Sequence, residues 1–132
     1  MIGLDTNILL RLVLQDDAEQ CRRVDRLMES LPERGPGYIN AITLMEFSWF
    51  LRKRLRVGRA ELAAAIADFL EARDIEVEDE WQVEEALDLM NRTSAEFPDI
   101  LIALRNAKSG CHATLTLDRA AAAAIPGMEL LT

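Results

Sequence analysis

The stretch MIGLDTNILLRLVL, residues 1–14, decides the fold. Residues 1–5 form a short apolar run that ends in an acid, the pattern of a strand with Asp5 at its carboxyl end. Thr6–Leu14 then repeats apolar residues at helical spacing and stops at Gln15-Asp16-Asp17, where Asp16 or Asp17 can cap a second helix. The same order returns near the other end of the chain. His112–Leu117 (HATLTL) reads as a strand, Asp118 follows it, and the alanine run Ala120–Ala124 is short enough to be a packed helical turn.

Between these two stretches the pattern continues. Ala18–Leu31 sets Cys21, Val24, Leu27, Met28 and Leu31 on one helical stripe, and Pro32–Gly37 (PERGPG) is a breaker cluster. Tyr38-Ile39 is a very short strand, and Asn40 caps a helix from Ala41 to Leu55. Gly58 ends that unit. Arg59–Ala72 gives a further helix with Leu62, Ile66, Phe69 and Leu70 inward, and Asp74–Glu78 (DIEVE) alternates as a strand does. Trp81–Arg92 is helical, Pro98 opens a helix through Ser109 that Gly110 closes, and Pro126-Gly127 turns the chain into a last strand, Met128–Leu131. Strands separated by helices predict an α/β fold with a mostly parallel sheet and helices on both faces. Ligands in such sheets gather beyond the carboxyl ends of the strands. No internal repeat or low-complexity linker interrupts the pattern, so a single domain over residues 1–132 is expected.

Composition narrows the class. At 50% hydrophobic residues a real core is available. Cys21 and Cys111 lie far apart and form no C-x-x-C pair, which excludes a disulfide framework or zinc signature and fits a reduced, cytoplasmic compartment. The N-terminus has no basic region leading into an apolar stretch, so no signal peptide is expected, and no apolar run reaches the length of a membrane span. The net charge of −8 argues against nonspecific polyanion binding, unless several carboxylates converge on divalent cations that offset it and attract phosphate.

Four acids are candidates to converge. Asp5 and Asp118 follow strands, Asp99 lies in the first turn of the helix opened by Pro98, and Glu46 is the odd member of a stripe made by Ile42, Trp49 and Phe50. A carboxylate on a buried stripe needs a partner. Each acid also has a plain structural account: Asp5 and Asp118 as helix caps, Asp99 as a complement to a helix dipole, Glu46 as a partner for Arg52 or Lys53, although neither stands at i+3 or i+4. A shared metal site explains all four at once. Magnesium or manganese takes oxygen ligands and only one or two protein carboxylates per ion. Two such ions about 3.5–4 Å apart support in-line displacement at phosphorus. No Gly-rich phosphate loop, Ser-His-Asp set or nucleophilic cysteine context competes, and the one histidine, His112, reads as structural.

LDTNILLRLVLQDD, TLMEFSWFL around Glu46, FPDILIA around Asp99 and TLD ending at Asp118 together resemble PIN-domain nucleases, and most of all the VapC-type toxins of bacterial toxin–antitoxin pairs. The resemblance runs over essentially the whole chain. It implies a PIN-like three-layer α/β/α sandwich, a magnesium- or manganese-dependent endoribonuclease cleaving RNA, a cognate antitoxin that blocks the site, and pairing as a homodimer. By that resemblance Asp5, Glu46 and Asp99 match the core metal-binding acids, Asp118 the fourth, and Asn7 and Thr116 the polar positions that orient ligands or water. Ala120–Ala124 departs from it, standing where many relatives have polar or basic residues.

The basic run Arg52, Lys53, Arg54, Arg56 and Arg59 is either a guide for an RNA backbone or a solvated helix end, and Arg11, Arg22, Arg23 and Arg26 suit RNA or the antitoxin equally. Trp49, Phe47 and Phe50 offer a stacking platform for bases, though residues of their kind beside Met45 and Leu51 more often belong to core or dimer surface. Two other functions stay open. A haloacid-dehalogenase-type phosphatase would want an acid where Asn7 stands, and a non-catalytic PIN-like module binding RNA or protein would be expected to have lost at least one ligand.

Overall fold

Five short strands alternate with seven α-helices along residues 1–132, all of which the computed structural model describes. The chain divides after Glu80 into two units. The first holds β1 (Ile2–Gly3), α1 (Thr6–Leu14), α2 (Ala18–Arg34), β2 (Gly37–Ile39), α3 (Ala41–Trp49), a π-helical turn (Phe50–Arg54), α4 (Arg59–Glu71) and β3 (Ile75–Val77). The strands lie in the order β1-β2-β3, all parallel, with Ile2 opposite Gly37 and Ile39 opposite Val77. Parallel pairing puts the carboxyl ends of all three on one edge. α1 packs on α2 and α3, and α4 on β3. Leu9, Leu10, Val24, Leu31, Leu44, Leu62 and Ile66 are buried, each worth about 1.5–3 kcal/mol. Phe47 meets Phe69 edge-on, ring centroids 5.4 Å apart.

Two helices differ from expectation. α2 runs through Pro32 to Arg34. Pro32 removes a single helical hydrogen bond near the end of the helix, while Leu31 beside it is buried to 1% exposure and holds the last turn down. The break falls instead at Gly35, whose φ of +96° suits glycine and whose N–H closes on Leu31 C=O at 2.9 Å. The helix expected to reach Leu55 changes pitch at Phe50. Leu55 N–H reaches the Phe50 carbonyl five residues back at 3.1 Å, and Arg52 Nη1 donates to Val57 C=O at 2.9 Å to close the widened turn.

The stripe of Ile42, Glu46, Trp49 and Phe50 is also turned the other way. Ile42 is 81% exposed and Trp49 50%, and Glu46 faces solvent. The buried face is Ala41, Leu44, Phe47 and Ser48. α3 has apolar residues at helical spacing on both sides, so periodicity alone does not select the inward one.

The second unit, Trp81–Thr132, holds all but the first residue of α5 (Glu80–Arg92), then α6 (Phe97–Lys108), β4 (Thr114–Thr116), α7 (Arg119–Ala124) and β5 (Met128–Leu130). β4 and β5 pair in parallel, Thr114 opposite Met128, with α7 packed on both. Asn106 Nδ2 donates to Thr114 Oγ1 at 3.0 Å and ties α6 to β4. Gly110, at φ +96°, ends α6 as expected. β4 starts at Thr114, because its partner begins only after Gly127, and this leaves His112 exposed outside the strand. Throughout, the α/β class and the parallel pairing are those read from the sequence. No helix is long and apolar enough to cross a membrane.

Candidate active site

The carboxyl edge of the first unit's sheet is where its polar side chains collect. Leu4 N–H still bonds Tyr38 C=O at 2.9 Å, so Asp5 is the first residue to leave the sheet. Its backbone is extended, and its Oδ1 accepts Ile8 N–H at 3.2 Å. The capping account of Asp5 is therefore realised. A cap uses one carboxylate oxygen, and Asp5 Oδ2 is left at the exposed edge.

The neighbouring strands fix the element that bears the second acid. Asn40, after β2, accepts Thr43 N–H at 2.8 Å, and Glu78, after β3, accepts Ala41 N–H through Oε1 at 2.8 Å. Two acceptors thus secure two of the unpaired N–H groups at the start of α3. One turn further on, Glu46 Oε1 accepts a short hydrogen bond from the Thr6 hydroxyl at the start of α1. Asp5, Thr6, Asn7, Glu46, Trp49 and Phe50 line one open hollow of about 350 Å³. Asp5 and Asn7 also face a second hollow of about 360 Å³, shared with Arg11, Gln20 and Arg23.

Arg11 has structural work in that second hollow. It bonds Asp16, and its Nε donates to Gln20 Oε1 at 2.8 Å, while Gln15, in the left-handed conformation at φ 53°, donates to the Arg11 carbonyl at 3.1 Å. The guanidinium holds the Asp16 carboxyl below the usual carboxylate range, and the same bond raises Arg11. Of the other basic candidates, Arg52 closes the π-helical turn, and Lys53 and Arg56 are exposed.

In the second unit Asp118 repeats the geometry of Asp5. Its Oδ1 accepts Ala121 N–H at 3.0 Å as the cap of α7, and its own N–H donates to Thr116 Oγ1 at 3.0 Å. Asp99 is half-buried in the first turn of α6, behind Pro98 and among buried Phe97, Ile100 and Leu101. Of the residues picked from sequence, Asp5, Asn7 and Glu46 share a hollow in the first unit, and Thr116 and Asp118 touch in the second.

Thr6 and Glu78 escaped the sequence reading. Thr6 stands directly after Asp5, and a hydroxyl there was a usable signal; Glu78 ends an alternating strand in the way Asp5 and Asp118 do. Within neither unit do three or more His, Cys, Asp or Glu side chains gather into a ligating cluster. The pair in the first unit nevertheless suits a hard cation. Asp5 and Glu46 offer carboxylate oxygens beside neutral Thr6 and Asn7 in an opening with room for water, and magnesium or manganese binds through one or two carboxylates and keeps several waters. No curated protein matches the chain. Against known families, residues 2–124 match the PIN domain.

Proposed function

The chain belongs to the PIN domain family, a nuclease superfamily whose members generally use divalent metals, and we propose that it is a metal-dependent endoribonuclease serving as the toxin of a bacterial toxin–antitoxin pair. The observation that supports this most is the hollow that Asp5 and Glu46 share at the carboxyl edge of a parallel sheet, where α/β folds bind their ligands. Asp5 and Glu46 are assigned to hold Mg2+ or Mn2+; on the strength of the FPDILIA and TLD motifs Asp99 takes the same role, with Asp118 as the fourth, auxiliary acid. Bound there, divalent cations supply an activated water and charge stabilisation for the leaving oxygen of an in-line displacement. Thr6 holds Glu46 in orientation through its hydroxyl, Asn7 presents an amide to the same hollow, and Thr116 fixes the backbone of Asp118. The match spans both units, which supports one PIN domain over the chain. RNA, a cognate antitoxin and a second copy of the chain are the expected partners. Cys21 and Cys111 are both free thiols, in keeping with a reducing cytoplasm.

The test is cleavage by the purified chain of matched RNA and DNA strands in magnesium, in manganese and in EDTA. RNA should be cut in either metal, spared in EDTA, and spared by Glu46→Gln. Metal-independent cutting, or DNA cut as fast as RNA, contradicts the ribonuclease assignment. For the toxin role, expression should arrest growth, and co-expression of the product of a short neighbouring frame should restore it. Unimpeded growth rejects that role.

A further inference from the structure

We infer that Trp49, with Phe50 beside it, is a base-stacking subsite that positions an unpaired nucleobase of single-stranded RNA next to Asp5 and Glu46; this rests on the ribonuclease reading above. The three aromatics of α3 and its π-helical turn divide by burial. Phe47 is fully buried and locked edge-on against Phe69, so the helix is anchored without help from its neighbours. Trp49 is 50% exposed and Phe50 half-buried, and both line the hollow that holds the two acids. They stand three and four residues after Glu46, and on a helix that spacing places them on one face with it.

The indole therefore offers its surface at the opening where a phosphodiester would have to lie. Aromatic faces accept any base, and the base must be unpaired, because a duplex keeps its base faces stacked inside. A second copy of the chain is the competing occupant. Seated on Trp49, it would also cover Asp5 and Glu46, the acids that have to meet substrate. Exposed Ile42, which is outside the hollow, remains for such a contact. The widened turn beginning at Phe50 keeps Leu51 buried while Phe50 still reaches the hollow.

The experiment uses the full chain with Trp81→Phe, which leaves Trp49 as the sole tryptophan. Stopped-flow mixing in magnesium with a single-stranded RNA oligonucleotide should quench Trp49 fluorescence before turnover, and the matched duplex should quench it far less. In steady-state cleavage Trp49→Ala should raise KM about 5- to 150-fold with kcat little changed, the range of a lost base stack. Trp49→Phe should recover most of that loss, which a merely structural role would not predict. A Trp49→Ala enzyme that cleaves with KM within twofold of wild type overturns the stacking site and leaves the ribonuclease standing. The same unchanged KM together with a dimer turned monomer in sedimentation assigns the face to a second copy and also overturns it. If wild type cuts no RNA, both readings fall together.

Discussion

Asp5 and Asp118 stand in the same local frame. Each follows its strand by one leucine, each opens a helix, and each accepts through Oδ1 the N–H three residues on, at 3.2 and 3.0 Å. Their surroundings differ. Leu4 is buried and α1 sinks Leu9 and Leu10 into the core, whereas Leu117 is 79% exposed and the six-residue α7 buries only Ala121. Asp5 is followed by Thr6 and Asn7 and shares a hollow with Glu46; Asp118 is followed by Arg119 and alanines and has Thr116 for company. The cap is thus a generic consequence of a strand running into a helix. What distinguishes Asp5 is a second acid brought to it by a different element.

The largest effect separates the two frames by activity. Glu46→Gln should lose RNA cleavage to background with its circular dichroism unchanged, since the side chain is exposed and contributes nothing to the core. Asp118→Asn keeps a competent cap and should retain measurable cleavage; equal losses from the two variants would erase the distinction.

A smaller effect concerns the hydroxyls. Thr6→Val removes the donor to Glu46 and should cost about 10–100-fold in activity or metal affinity, as the loss of a group that orients a metal ligand typically does. Thr116→Val removes an acceptor for the Asp118 backbone and should fall at or below the lower end of that range. Complete inactivation by Thr116→Val at saturating metal would show that the second frame matters as much as the first.

Stability divides capping from chemistry. Asp5→Ala should destabilise the fold by about 1 kcal/mol through loss of the cap, while Asp5→Asn should be near neutral, because asparagine caps as well as aspartate. Urea midpoints compare the two directly. Destabilisation by Asp5→Asn as large as that by Asp5→Ala would mean that the charge itself holds the fold.

The smallest effect lies in the turn after α1. Asp16 has a folded-state pKa lowered by its bond to Arg11, so its contribution is present above the ordinary aspartate value and is lost as pH falls through the lower, folded one. Asp16→Asn should therefore be slightly less stable than wild type at neutral pH and converge with it in strong acid, which flattens the acid limb below about pH 4. An acid limb identical to wild type would show that the pair is merely solvated.

Much of this was legible in the sequence because local rules sufficed. Asn40 and Asp118 cap the helices that follow them, Thr6–Leu14 is helical over the residues read, and the alternation of strands and helices gave the parallel pairing. What failed depended on packing. Two apolar faces on α3 left its orientation undetermined, and Pro32 stayed helical because Leu31 is held in the core. The widened turn at Phe50 has no composition of its own. Thr6 and Glu78 gained their roles from elements 40 and 37 residues away in the chain.

The most direct test of Asp5 as a metal-holding acid is calorimetric titration of manganese into wild type and into the cap-preserving Asp5→Asn, with thermal melts of each in EDTA and in metal. The two should melt alike in EDTA, wild type should gain about 2.7 kcal/mol of stability at one hundred times its dissociation constant, and the variant should bind at least about ten times more weakly. Equal affinities and equal metal-induced gains would contradict the account and leave Asp5 a helix cap alone.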